Sequence, residues 1–455
     1  MNSPPAQWDA TTRRLLEYAR DVRFGRLDAR TLHEVKRHLL DTFASALGAL
    51  DEPVCVMARA LGAQYRSMTE ARLWGSGRCT TPEMAGFTNG VMVRALDISD
   101  TCLGKSRGHP SDMVPGLIAV AEAVRADGPA LIEAISLAYD VYCSFCAHVD
   151  VNARGWDQPV YGVLGCALGA AKLMRLSDEQ TGHALSLALT PNMALAEARR
   201  GSLSSWKGCA GANASRNAVF AAVLAQQGFT GPAAPFEGSG GLWAAIGRAD
   251  WPLPSAPMIG TTHTKSLPVC YHGQSAVLAA LELRRRVALE AIEAIEVAAY
   301  ATAVFMMGAD PSRWAPATRE TADHSFPYCI ALALLDGELT QSSFAEARLR
   351  DPAVKALMAK VKVVEDPALS ALYPHAAPGR VAITLRSGET QVAEVRYPTG
   401  HEKNPMSDQA IERKWIELSR GRVDAGQSAK LVETLWRLES LDDARALTAL
   451  LAANG

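Results

Sequence analysis

The sequence predicts a mainly α protein with an α+β insertion, and three observations carry that expectation. Residues from about 7 to 260 read as a succession of helices; strand-like alternation with turn signals sets in after about residue 264; helical periodicity returns for the last fifty or so residues. The expected division is therefore residues 1–264 as the first part of a helical domain, 265–402 as a smaller α+β domain, and 403–455 as helices returning to the first part. At 455 residues the chain exceeds what one simple core accommodates, which also argues for more than one domain.

Taken in order, "TLHEVKRHLLDTFASALGAL" spaces Leu32, Val35, Leu39, Leu40, Phe43 and Leu47 at threes and fours, the stripe of an amphipathic helix. "MVPGLIAVAEAVRADG" and "PALIEAISLAYDVYCSFCAHV" are apolar on more than one face, as helices inside a bundle are. "YGVLGCALGAAKLMRLS" adds Gly162, Gly165, Gly169 and neighbouring alanines, which let helices approach closely. In the insertion, "AIEAIEVAAYATAV", "VKALMAKVKVVEDP" and the pair within "GRVAITLRSGETQVAEVRYPTG" read as strands, the last two joined by a Ser-Gly turn. "SAVLAALELRRRVAL" and "SFPYCIALALLDGEL" read as helices between them. From "NPMSDQAIERKWIEL" onward the helical period resumes, with Ser407 and Asp408 as caps.

Composition narrows the function. The formal charge is −2, which gives no chain-wide electrostatic case for nucleic acid or an anionic membrane as partner. No uninterrupted apolar run reaches the roughly 18 residues of a membrane span, and the N-terminus lacks the pattern of a secretory signal. Nine scattered cysteines suit a reducing cytoplasm better than a disulfide framework. "FEGSGGLW" lacks the Gly-Lys-Ser/Thr ending of a phosphate loop, and Cys143-x-x-Cys146 has no second pair at metal spacing. No H-E-x-x-H, G-x-S-x-G or βαβ-embedded G-x-G-x-x-G occurs.

Four polar constellations remain. "LDISDTCLGKSRGHPSD" places Asp97, Asp100, Thr101 and His109 before an apolar helix; Ser111 or Asp112 as a helix cap explains the end of the stretch but not its acids. A His at a helix N-terminus favours its neutral form and suits a general base. "ARRGSLSSWKGCAGANASRN" gathers Arg199, Arg200, Ser204, Ser205 and Lys207; it is either a solvated basic loop or, given the small residues after Trp206, a Lys directed inward and needing a carboxylate partner. "HTKSLPVCYHGQSAVLAALE" puts Lys265, Tyr271, His272 and Gln274 at the seam between domains, where Lys265 is either an anion ligand, a base of lowered pKa, or an exposed hinge lysine. "RETADHSFPYCIALALLDG" combines Arg319, Glu320, Asp323 and His324, equally readable as a cap by Thr321 or Asp323 with a structural ion pair.

With "RGWDQPVYG", "FEGSGGLW" and "YPTGHEKNPMSD" added, the ordered set "LDISDT…GHPSD", "SSWKGCAGANASRNAV", "KSLPVCYHGQSA" and "ETADHSFPYCIALALLDG" resembles the 2-methylcitrate dehydratase (MmgE/PrpD) family, which includes cis-aconitate decarboxylase and iminodisuccinate epimerase. The resemblance implies a helical domain from both chain ends, an α+β lid, a homodimer, a pocket between domain and lid, and no metal or organic cofactor. Carried over by position, Asp97, Thr101 and His109 match its acid–hydroxyl–His set, Lys207 its Trp-Lys-Gly lysine, and Lys265 the lysine opening the lid. Tyr271, His272 and Gln274 fall where pocket residues belong. The family often has an acid where Ser99 stands, and its decarboxylase branch has a histidine near the position of Gln158, which argues against decarboxylation.

A proton removed α to a carboxylate leaves charge that a metal-free site must stabilise with donors, here Lys207, Lys265, Ser205 and Arg200. His109 and Lys265 are the two candidate acid–base groups, with Asp97 and Thr101 expected to orient His109. The expectation is a cofactor-independent hydro-lyase for a citrate-like di- or tricarboxylate. An epimerase, a decarboxylase and a non-catalytic acid-binding protein are the alternatives.

Overall fold

The computed structural model describes residues 7–67 and 71–452. Helix predominates and the sheets are small, so the chain is mainly α with some β. Apolar side chains gather in two main clusters. One runs from Leu15 to Ile259 and takes in Met406 to Leu451; the other runs from Val269 to Ala393.

The first cluster is built from helices, some of which meet through small residues. Asp28 accepts from the Thr31 N–H to start the helix Ala29–Gly48, and Asp127 does the same for Gly128–His148 through Ala130. The helix Pro82–Ala95 lies against Trp206–Gln226 so closely that a Cβ on Gly90 would stand 2.8 Å from the Ala212 Cβ. A Cβ on Gly165, in the helix Pro159–Leu173, would meet the Ala138 carbonyl oxygen at 2.6 Å, so the glycines in this stretch do permit close approach. Gly128–His148 is long and apolar enough to cross a membrane by length and composition, and most of it is buried among its neighbours.

The second cluster fills the face of a four-stranded sheet in the order Val361–Glu365, Ile292–Ala299, Gly379–Leu385, Thr390–Val395. The first pairing is parallel and the other two antiparallel. The helices Gln274–Arg284 and Phe326–Asp336 pack on it and on each other. Two strand expectations were too long. "ATAVFMM" is the helix Ala301–Met307, and "PAVKALM" is the helix Pro352–Met358, started by Pro352 at its first position and by the Asp351 carboxylate on the Ala353 N–H. Only the β-branched run after it, Val361–Glu365, joins the sheet.

Ser407 caps the helix Asp408–Ser419 by accepting from the Ala410 N–H, and this helix packs on Ala29–Gly48 with Ile411 and Trp415 buried. Its Lys414 is the unusual residue. The buried ammonium pairs with Asp41 and donates to the carbonyls of Ile98 at 2.8 Å and Lys265 at 2.9 Å. It thus ties the segments that carry Asp97 and Lys265 to the C-terminal helix. Replacing Lys414 by Met strands the buried Asp41 carboxylate and should cost about 3–5 kcal/mol of stability. The matching exposed change, Lys430→Met, should stay within about 0.5 kcal/mol; thermal unfolding of the two variants checks the contrast.

Candidate functional site

A cavity of about 380 Å³ opens between the two clusters. It is lined by Arg94, Asp97, Thr101, His109, Gln158 and Arg199 from the first part of the chain, and by Lys265, Cys270, Tyr271, His272 and His324 from the later part.

Asp97 follows the helix Pro82–Ala95 with a left-handed backbone (φ 50°), a conformation that Asp tolerates better than most residues. The turn aims its carboxylate back into the protein. Arg94 Nη1 donates to Oδ1 at 3.1 Å and Lys265 Nζ at 2.9 Å, while Lys207 Nζ stands 3.6 Å from Oδ2. Lys265 Nζ also donates to the Asp97 carbonyl at 2.9 Å. Burial pushes the Asp97 carboxyl up, but Lys207, Lys265, Arg94 and His324 together hold it well below the usual carboxylate range.

His109 is oriented differently from the expectation. Its Nδ1 lies 2.7 Å from the Asp100 carbonyl oxygen, an acceptor only, so Nδ1 carries the proton and Nε2 the lone pair in the neutral ring. Asp97 is engaged with the lysines, and Thr101 acts one residue away, its hydroxyl donating to the Gly108 carbonyl at 3.0 Å. The His109 N–H donates to Gln158 Oε1 and Tyr142 Oη, both at 2.7 Å. Asp100 itself accepts from the Ser111 N–H at 3.0 Å and the Tyr139 hydroxyl at 2.8 Å, which fixes the carbonyl that holds the ring. Burial first, then Arg94 and Lys265, hold the imidazole well below its ordinary pKa.

No side-chain cap starts the helix Val114–Val124; a 3-10 turn, Pro110–Met113, feeds it instead. Asp112 therefore does not cap. It turns inward to Arg94 Nε (3.2 Å) and accepts from Gln158 Nε2 (2.8 Å), and burial lifts its carboxyl to about 6 against the pull of Arg94. The Phe326–Asp336 cap is likewise neither Thr321 nor Asp323 but Ser325, on the Tyr328 N–H. Asp323 is spent on Lys207, accepting from Nζ at 2.9 and 3.1 Å, and on His324 Nδ1 at 2.5 Å.

The remaining expected residues divide. Lys265 is fully buried and lines the cavity; burial lowers its ammonium pKa while Asp97 opposes the fall. Arg200 stands exposed on the cavity wall. Tyr271 and His272 line it too, Tyr271 with a buried hydroxyl that meets no partner among the described residues, His272 with Nδ1 2.6 Å from the Tyr300 hydroxyl. Lys207 points inward but is not on the cavity wall: its role is to pair Asp97 and Asp323 from behind. Ser205 is exposed and off the cavity, and Gln274 is off it as well, its Nε2 donating to the carbonyls of Leu267 and Val269. The pattern of the sequence missed Arg94, Arg107, Asp157 and Cys270. A lone Arg among buried positions of the Pro82–Ala95 helix was the available signal, because a buried guanidinium requires carboxylates.

Oxygens of Asp97 and Asp323 and a ring nitrogen of His324 lie within 4.8 Å of one another, a spacing that suits a metal ion. The donor set does not suit one. The Lys207 ammonium already bonds Asp323 and approaches Asp97, and Lys265 and Arg94 complete the neutralisation. What the arrangement can do is acid–base chemistry on an anion: a neutral imidazole and a buried ammonium line one cationic cavity.

Fold and site thus define a two-part protein with a cationic cavity between its two apolar clusters. The chain belongs to the MmgE/PrpD family: the family model of the MmgE/PrpD N-terminal domain matches residues 13–253, and that of the MmgE/PrpD C-terminal domain matches residues 267–439. It is 28% identical to 2-methylcitrate dehydratase of Cupriavidus necator over 399 residues, covering 80% of this chain and 81% of that one. It is 27% identical to 2-methylcitrate dehydratase of Escherichia coli (strain K12), covering 90% and 89%. Against cis-aconitate decarboxylase of Homo sapiens the identity is 26%, covering 94% and 92%.

Asp97 and Lys207 share one ion network, so their losses should not add. Asp97→Ala and Lys207→Met should each destabilise strongly, and the double variant should fall short of the sum by about 1–3 kcal/mol. A double-mutant cycle read by thermal unfolding measures the shortfall.

Proposed function

We propose that this lyase removes a proton α to a carboxylate of a citrate-like di- or tricarboxylate and expels water, as a 2-methylcitrate dehydratase-like enzyme. One observation carries the reading: five basic side chains, Arg94, Arg107, Arg199, Arg200 and Lys265, line the cavity against two carboxylates, Asp97 and Asp157. The surplus of positive charge suits a substrate with several carboxylates and the extra negative charge that builds on one of them when the proton leaves. Relatives named 2-methylcitrate dehydratase support the choice of acid.

In this account His109 is the base. The Asp100 carbonyl holds the Nδ1 proton, so Nε2 accepts the proton from carbon. Lys265, an ammonium made more acidic by burial, protonates the departing hydroxyl. The C–H and C–O bonds break, a C=C bond forms, and water leaves. Arginines bind the carboxylates, and Asp97 keeps Lys265 in place from behind. The α+β unit, which supplies Lys265, Tyr271 and His272 to one wall, acts as a lid over the helical unit.

Incubation with 2-methylcitrate, citrate, cis-aconitate and an iminodisuccinate-type acid, followed by NMR, tests the reading. Loss of water from a citrate-like acid is the expected result. Release of carbon dioxide points to decarboxylation, inversion without mass change to epimerisation, and binding without reaction to an acid-binding protein; each overturns it. His109→Asn should lower kcat by about 10²–10⁴-fold. A base must be unprotonated, and the His109 pKa is depressed. The acid limb of kcat/KM, which reports the free enzyme, should therefore lie below the ordinary imidazole value of 6.5. A pH–rate profile checks its position.

A further inference from the structure

Cys270 is a cavity-wall residue that the proton-abstraction account leaves without work. Its surroundings differ from those of the other buried thiols. His324 lines the same cavity and acts electrostatically on the thiol, and its Nδ1 lies 2.5 Å from Asp323 Oδ1. The Cys270 N–H donates to the Asp323 carbonyl at 2.9 Å, so the backbone fixes the thiol against the residue pair it faces. Cys270, His324 and Asp323 therefore stand in the order nucleophile, base, orienting carboxylate. Lys207 donates to both oxygens of the Asp323 carboxylate.

The charges around the thiol agree with that order. Burial pushes the Cys270 thiol up, as it does at Cys55, Cys166 and Cys209, but the His324 imidazole and the Lys265 ammonium outweigh both burial and Asp97 and bring it below its ordinary value. Asp323 and the thiol in turn hold His324 above the ordinary imidazole value, against burial and Lys207. The cationic cavity in front of the thiol selects electrophiles that carry carboxylates.

We propose that Cys270, with His324 as its base and Asp323 as the orienting group, is a covalent modification site for carboxylate-bearing electrophiles, unsaturated diacids in particular. Insofar as the enzyme's own product is such an acid, this rests on the dehydratase reading. The thiolate electron pair forms a C–S bond to the β-carbon of the conjugated acid. The π pair moves to the α-carbon, which takes the proton held by His324. The net change is addition of S–H across C=C, with no oxidant or reductant. The adduct would occupy the substrate cavity and block it.

The test uses the full chain with two alkylators of like size, anionic iodoacetate and neutral iodoacetamide, then maleate, read by intact mass and peptide mapping. One equivalent at Cys270 is expected from each acid, with iodoacetate faster there than iodoacetamide, and citrate protecting. Cys270→Ser should abolish the label, and His324→Asn should slow it at least tenfold. His324→Gln is a second variant should Asn disturb folding. First labelling at the less buried Cys79, or wild-type rates in both His324 variants, would overturn the proposal. Alkylation by iodoacetate needs no turnover. A failure of the acid panel therefore overturns the dehydratase reading and leaves the thiol's activation to be judged by its own labelling.

Discussion

The Asp97 carboxylate is the contact on which the cavity depends. It is buried, it lies on a left-handed turn, and it takes Arg94 and Lys265 on one oxygen and approaches Lys207 with the other. Each of these cations is itself buried, and a buried charge without a partner costs several kcal/mol. One carboxylate thus makes tolerable a concentration of positive charge that water would otherwise be needed to stabilise. It also joins elements far apart in sequence, since Lys265 leads into the α+β unit while Arg94 and Lys207 sit in two helices of the larger core.

The same network sets different environments for Lys265 and His109, the two groups to which the proposed reaction gives acid–base roles. Lys265 is bonded to Asp97, which favours its charged form, while burial lowers its pKa, the balance that the proposed role of proton donor requires. His109 is isolated from any carboxylate partner of its own and is tied instead to a peptide carbonyl, which leaves it neutral and fixes its tautomer. The second carboxylate of the cluster, Asp323, pairs with Lys207 and His324 and so sets the environment of the His324 ring on the cavity wall.

Much of this was legible in the sequence, and the physical reasons for the remainder are specific. The long helices were legible because their apolar stripes and small-residue faces span many turns; the short ones, Ala301–Met307 and Pro352–Met358, were not, because a few residues between strands show no period. Asp97, Thr101, His109 and Lys265 were found because polar residues crowded before apolar helices. Ser205 and Gln274 were drawn in by the same crowding, yet one faces solvent and the other satisfies loop carbonyls. The inward Lys207 was anticipated from the small residues beside it, but its partner Asp323 lies 116 positions away and no local pattern reveals that pairing. The same holds for the Asp100 carbonyl behind His109: a backbone acceptor has no sequence signature.

The claim that the cavity takes a proton from carbon through His109 is tested most directly by solvent exchange. A citrate-like acid incubated with the enzyme in D₂O and recovered before completion should carry deuterium α to a carboxylate with the wild-type protein. His109→Asn should bind the acid, by calorimetry, and show no exchange. Exchange at the wild-type rate in that variant would contradict the account.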